Sequence, residues 1–229
     1  MLKYITSGDS GLIIKAGEDI SEDTSIMVRK LLLRIEQEKI RGIVDYIPSF
    51  NELLICFDPL LTDPPELKSL IKSLENDISN VELPESGMVN VPVLYGGKHG
   101  PDIGEVAAHC KIPVDDVIRI HSASEYLVYM LGFTPGFCYL GGMDRRIYAP
   151  RKNEPRVHVP QGSVGIAGNQ TGIYPVDSPG GWQIIGITPL RLFDPAGSPE
   201  FLISPGDRVR FFPISEDEFE KIKADTRNI

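Results

Sequence analysis

The first third of the chain alternates cleanly between apolar and polar positions, and the pattern predicts a regular order of elements. Leu12–Lys15 reads as a strand. Ser21 is placed to cap a helix running to about Lys39, with Ile26, Lys30, Leu33 and Ile40 spaced to share a face and Leu32 and Ile35 broadening it. Ile43–Ile47 and Leu53–Phe57 are rich in β-branched and aromatic residues and read as strands joined by a Pro48–Asn51 turn. Pro65 suits the first turn of a second helix, Glu66 to about Ile78. Val89–Leu94 is the next strand, and it belongs either to this domain or to the one that follows. The resulting β-α-β-β-α-β order predicts a ferredoxin-like α+β domain, an antiparallel sheet with two helices on one face.

The polar segment Glu82–Met88, broken by proline and glycine, marks a boundary between residues 1–84 and residues 85–229. Beyond it, Asp102 and Glu105 have capping-box spacing for a short helix ending near Cys110. A second short helix, Val114 to about Ile120, follows Pro113. From about Glu125 the pattern changes. Eleven of the 22 glycines and seven of the 19 prolines fall between Gly132 and Asp194. A long helix cannot carry that density of breakers. Short apolar runs between the glycines (Val164–Ile166, Trp182–Ile187, Arg191–Phe193) predict short strands in a closed or nearly closed β-structure. A strand in PGDRVRFFPI and a short charged helix, with Ser215 and Glu218 as its cap, finish the chain.

Composition narrows the function classes. The net charge of −9 argues against nucleic acid as a partner, since phosphate binding needs a basic surface. Three widely spaced cysteines with no CxxC argue against a disulfide frame or a zinc site. No apolar run approaches membrane-spanning length, and the first residues lack the apolar core of a signal peptide, so a soluble cytoplasmic protein is expected.

Several residues carry candidate chemistry. GSVGIAGNQTG, Gly162–Gly172, looks like a phosphate loop but lacks the Gly-Lys-Ser/Thr ending. Its glycines read either as strand turns or as a pocket edge of backbone N–H groups. Arg151 and Arg156 stand out from a local cluster of cations because each follows a proline, and a stiffened arginine suits bidentate recognition of a carboxylate or phosphate. His121 sits at a helix-to-strand junction, where it serves either as a general acid or base or as a structural histidine. Trp182, after Gly180–Gly181, and Tyr139 are placed either as core or as pocket walls. No HExxH, GxSxG or dinucleotide fingerprint is present.

Four blocks resemble a known family. They are YGGKHGPDIGEVA (Tyr95–Ala107), IHSASEYLVYMLGFTPGFCYLGG (Ile120–Gly142), PR…PR…VPQGSVGIAGNQTGIYP (Pro150–Pro175) and SPGGWQIIGITPLRLFD (Ser178–Asp194). In this order they are similar to the family of 5-oxoprolinase B subunits, also described as KipI-like or allophanate hydrolase subunit 1. The resemblance implies a cyclophilin-like β-barrel after a small α+β domain. It implies partners, a 5-oxoprolinase C subunit of related fold and an A subunit, which together hydrolyse 5-oxoproline to glutamate with ATP as cosubstrate. On matching positions it implies substrate contacts from Arg151, Arg156, Tyr139, Gly165, Gly168, Gly172 and Trp182, with His121 and Gln170 in catalytic roles. No metal or organic cofactor is evident from the residues themselves. Two other functions come with the resemblance. One is inhibition of a sensor histidine kinase by docking, which an exposed apolar patch at Phe133–Phe137 would favour. The other is a part in urea or allophanate amidolysis.

Overall fold

The computed structural model describes residues 2–226. They divide into two compact units, Met1–Glu85 and Ser86–Ile229. No helix among the described residues is long and apolar enough to cross a membrane.

The first unit runs β1 (Lys3–Ser7), β2 (Gly11–Lys15), α1 (Glu22–Glu38), β3 (Ile43–Pro48), β4 (Glu52–Phe57) and α2 (Pro64–Ile78). The strands form one antiparallel sheet in the order β1-β2-β4-β3. Period-two alternation sends Leu12 and Ile14 of β2 and Leu53, Ile55 and Phe57 of β4 to the buried face. Ser21 caps α1 as expected, accepting from the Thr24 N–H at 3.2 Å while Thr24 Oγ1 accepts from the Ser21 N–H at 3.0 Å. Asp63 caps α2, with Pro64 and Pro65 in its first turn. The helices bury Val28, Leu31, Ile35, Leu67, Ile71 and Ile78 in the same core as the strands. Each such side chain contributes about 2 kcal/mol of hydrophobic stabilisation.

Two expectations are corrected here. The buried face of α1 is Ser25, Val28, Leu31 and Ile35; of the expected residues Ile35 is on it, and Ile26, Lys30, Leu33 and Ile40 are not. The expected set included an ammonium group, and Ile40 lies beyond the cap, where Lys39 turns left-handed at φ 48°. The connectivity is ββαββα rather than βαββαβ. The edge position beside β2, which a ferredoxin-like sheet would fill with its last strand, is taken by β1. β1 escapes pattern reading because Lys3, Thr6 and Ser7 are polar and exposed.

The strand expected at Val89–Leu94 is β5 (Met88–Tyr95) and belongs to the second unit. There follow α3 (Ile103–Cys110), α4 (Val114–Ala123), β6 (Glu125–Leu131), β7 (Cys138–Gly141), β8 (Arg156–Val159), β9 (Ser163–Ala167), β10 (Gln170–Ile173), β11 (Ser178–Gly180), β12 (Gln183–Ile187), β13 (Arg208–Pro213) and α5 (Glu216–Thr226). Seven strands close a barrel in the order β10-β7-β6-β13-β5-β12-β9, and β8 and β11 form a separate ribbon. Strict up-down alternation cannot close a ring of seven, so at least one neighbouring pair must be parallel. That pair is β13–β5. Val91, Val93, Tyr126, Val128, Leu140, Val164, Ile166, Ile185, Val209 and Phe211 fill the interior, joined by Val106 of α3 and Val117 and Ile120 of α4. The phosphate-loop lookalike is the β9–β10 hairpin. Ala167 pairs with Gln170, and Gly168, at φ 63°, takes the first turn position, where a type II′ turn needs glycine.

Gly100 has a different reason to be glycine. A Cβ built there would lie 2.2 Å from the Ile185 carbonyl oxygen, which accepts from the Gly96 N–H at 3.0 Å. Backbone cannot yield as a side chain can. Gly100→Ala is expected to destabilise the second unit by about 1–3 kcal/mol, read as a lower urea midpoint.

Candidate functional site

A cleft of about 240 Å³ is lined by Phe133, Phe137, Tyr139, Arg151, Pro155, Tyr174, Pro179, Gly180, Gly181 and Trp182. Its walls are aromatic. The Phe137 ring meets Tyr139, Tyr174 and Trp182 edge-on, at centroid distances of 4.8, 5.0 and 5.3 Å. These contacts stiffen the wall by about 0.5–1.5 kcal/mol per pair beyond burial. The sheet beneath admits the rings because it lacks side chains there. A Cβ on Gly172 would stand 3.0 Å from Trp182 Cζ3 and 3.2 Å from Phe137 Cζ, and one on Gly165 would stand 3.1 Å from Trp182 Cβ. The same holds on the ribbon, where a Cβ on Gly180 would stand 2.3 Å from the Tyr174 hydroxyl oxygen. Phe133 is 64% exposed and holds φ at 68°, a left-handed conformation that strains a bulky residue. Phe137 is buried, so this stretch offers solvent one aromatic ring, not a patch.

Arg151 is the one cation among the cleft-lining residues. It is exposed and forms no ion pair among the described residues. Its field reaches the phenols on the walls. Burial raises the Tyr139 and Tyr174 pKa values, and Arg151 opposes part of the rise in both. Arg156 is differently placed. Its Nη2 donates to Asp102 Oδ1 at 2.5 Å, while its Nη1 is buried without a partner. Of the two proline-flanked arginines, one is committed to a carboxylate and the other faces the cleft free.

Asp102 organises this region. Its carboxylate does not cap α3 as its spacing with Glu105 predicts. Instead Oδ2 accepts from the Ile184 N–H at 2.7 Å, and Oδ1 accepts from Arg156 and from Lys152 Nζ at 3.0 Å. Burial pushes the Asp102 pKa up, but Arg156, the Ile184 N–H and Lys152 together outweigh it and hold the group below its ordinary value of 3.8. The Lys152 N–H in turn donates to the Gly181 carbonyl at 2.7 Å. The strap carrying Arg151 is thereby tied both to α3 and to the cleft wall.

His121 is not on the cleft. It is fully buried in the barrel, stacked on Phe211 at 4.5 Å. Thr171 Oγ1 donates to the Gly165 carbonyl at 2.9 Å and so accepts from His121 Nε2–H at 2.9 Å. Nδ1 then accepts from the Tyr95 hydroxyl at 2.7 Å. Burial lowers the His121 pKa from 6.5 to about 3, so the ring is neutral. Thr171 faces the interior, and its neighbours Gln170 and Gly172 face the opposite side by alternation. Gln170 Nε2 is buried and has no partner among the described residues. The structure thus gathers Tyr139, Arg151 and Trp182 on one cleft, with Gly165 and Gly172 beneath the rings. Gly168 is in the adjoining hairpin turn, and Arg156 and His121 hold elements behind it. Tyr174 and Asp102 were missed as site residues. Tyr174 follows the last residue of β10, and Asp102 resembles an ordinary helix cap. Among the described residues no group of three or more His, Cys, Asp or Glu side chains stands together as a metal site.

Two stability predictions follow from these networks. Asp102→Asn leaves Arg156 without its carboxylate and Lys152 with Glu105 alone, and is expected to cost about 3 kcal/mol at neutral pH. Because the folded pKa lies below 3.8, the wild-type advantage is complete above that value and disappears as pH falls through the folded pKa, which pH-dependent denaturant melts will show. For His121 the lowered pKa means the unfolded chain takes up the proton first. Stability is therefore expected to fall as pH drops from 6.5 toward about 3, and His121→Gln to flatten that slope.

Comparison with known proteins places these features in a family. Residues 2–203 match the family described as carboxyltransferase domain, subdomain C and D. The 5-oxoprolinase B subunit of Bacillus subtilis is 43% identical, over 96% of this chain and 95% of that one. The urea amidolyase of Saccharomyces cerevisiae is 25% identical over 98% of this chain, but this chain spans 14% of its length. The crystal structure of TTHA0988 superposes with a TM-score of 0.77 at 35% identity, covering 90% of this chain and 39% of that one, so this chain spans about two-fifths of it. Identity at this level over nearly the full length of both chains, with the domain match beneath it, means that the chain belongs to the family of 5-oxoprolinase B subunits.

Proposed function

We propose that this chain is the B subunit of a cytoplasmic, ATP-dependent 5-oxoprolinase that works with an A and a C subunit and hydrolyses 5-oxo-L-proline to L-glutamate. The observation that carries the reading is the unpaired Arg151 on an aromatic cleft, in a chain 43% identical to a protein of that name. The substrate is a small, flat ring with one carboxylate. Arg151 supplies a guanidinium for the carboxylate, and Tyr139 and Trp182 supply faces for the ring. Gly165 and Gly172 keep those faces seated, and Gly168 sets the hairpin that presents Gln170. Gln170 lies outside the cleft lining with its Nε2 buried, so its part on this reading is behind the cleft wall and not in contact with the lactam. Arg156 holds the strap through Asp102, and His121 pins β10 from inside the barrel.

The chemistry explains why a nucleotide is needed. A lactam carbonyl is a poor electrophile. Transfer of the γ-phosphoryl group to its oxygen releases ADP and makes the ring carbon open to water. Water adds there, the ring C–N bond breaks with a proton going to nitrogen, and a second water releases phosphate from the resulting acyl phosphate. At about 240 Å³ the cleft is below the roughly 300–1,000 Å³ of a drug-sized site, so it suits the lactam and not the nucleotide beside it. ATP is accordingly placed with one of the partner chains.

The test is ATP-dependent glutamate release from 5-oxoproline by the chain alone, with the C subunit, and with the A and C subunits together. Turnover is expected only in the full mixture. Arg151→Ala is expected to lower kcat/KM on the order of 100-fold, about 2.7 kcal/mol, mainly through KM and with assembly intact. Arg151→Lys should recover part of the loss. Unchanged kinetics for Arg151→Ala in the assembled complex would remove the cleft from the mechanism. No turnover in any mixture of folded, assembled subunits would overturn the reading.

A further inference from the structure

The four-stranded sheet of the first unit covers one face with helices, while its other face carries a continuous apolar row. Register places Ile5 opposite Ile13, Ile13 opposite Leu54, and Leu54 opposite Ile47, so one aliphatic side chain from each strand lies in a single line across the sheet. The residues on either side of this row along β2 and β4 (Leu12, Ile14, Leu53 and Ile55) are fully buried under α1 and α2, which assigns the row to the opposite face. The two ends of the row are open, Ile5 at 48% and Ile47 at 49% exposure. Isolated surface aliphatics need no explanation, but an in-register line of four does.

Charge on this face is divided between its two halves. Beside the apolar row, Lys3 pairs in register with Lys15 and Lys15 with Glu52. On the other side, Ser7 pairs with Gly11, Gly11 with Cys56 and Cys56 with Asp45. The β1–β2 half is therefore basic and the β4–β3 half acidic. Lys3 and Lys15 share the exposed carboxylate of Glu18, and Glu52 stands beside Lys15 on the next strand.

We propose that this face docks on the same face of a second copy of the chain, about a two-fold axis parallel to the strands. That axis carries β1 over β3 of the second copy and leaves position along the strands unchanged. Ile5 then meets Ile47 of the second copy and Ile13 meets its Leu54, while Lys15 comes over its Glu52 and Lys3 over its Ser49. A two-fold axis across the strands would instead set the lysines over Ser7 and Gly11 and leave the charges unmatched. The contact is isologous, each half supplying what the other lacks, and it has the geometry of aligned sheet packing. Strand spacing and rise give a face of on the order of 300 Å² in projection, below the roughly 800 Å² per partner of a standard interface. The dimer is therefore weak and concentration-dependent. None of this rests on the proposed activity.

The test is sedimentation velocity of the full chain over a roughly hundred-fold range of micromolar concentrations. The weight-average mass is expected to climb from 25.3 kDa toward twice that value. The exposed-site double variant Ile5→Lys, Ile47→Lys is expected to weaken association at least tenfold while its thermal melt stays at the wild-type position. Lys15→Glu and Glu52→Lys should each weaken the dimer, and combining them should restore it. A wild-type chain that stays monomeric throughout the range would overturn the proposal. So would a dimer indifferent to the Ile5 and Ile47 changes, or a face whose variants alter only the binding of a different protein.

Discussion

The buried carboxylate of Asp102 is the constraint on which the cleft depends. Taking a carboxylate out of water costs several kcal/mol, and an attractive partner offsets that only when the remaining lone pairs are also satisfied. Asp102 meets the condition with two cations and one backbone N–H, all distant from it in sequence: Lys152, Arg156 and Ile184. The result is a junction of α3, β8 and β12. Arg151 precedes one of those cations directly and is spared from the junction itself. Its freedom from carboxylates near the cleft follows from the commitment of its neighbours to Asp102.

This arrangement also explains how far the sequence could be read. The glycine and proline density between Gly132 and Asp194 was legible as short strands because breakers act locally. The caps at Ser21 and Ser215 were legible for the same reason, since both contacts span three residues. Arg151 and Arg156 could not be told apart, since each follows a proline and the carboxylate that distinguishes them is 54 residues from Arg156. Asp102 looked like a helix cap because local spacing says nothing of the N–H of Ile184, 82 residues away.

The misread connectivity of the first unit has a related cause. Val89–Leu94 carries the apolar signal of a sheet strand, and it is one. Its pattern does not say which sheet, and Val91 and Val93 are buried in the barrel core. β1 carries almost no signal, because an edge strand with one open face needs few apolar residues; Tyr4 alone of its inward positions packs on the core. Pattern reading therefore left the barrel strand open between the two sheets and passed over the true edge.

Strand β10 shows how the second unit separates two kinds of chemistry. Thr171 points inward and shares hydrogen bonds with His121 and Gly165, in a dry interior that keeps the imidazole neutral. Gly172, the next residue, points outward beneath Trp182 and Phe137. A proton could pass from His121 to the cleft only by crossing the strand, and both imidazole nitrogens are already engaged on the inner side. The contacts of the histidine are structural ones, holding Thr171 of β10 from the inner side. Charge at the cleft is left to Arg151. One strand, with adjacent residues in opposite roles, keeps the polar scaffold and the binding surface close enough to be coupled in position and yet isolated in protonation.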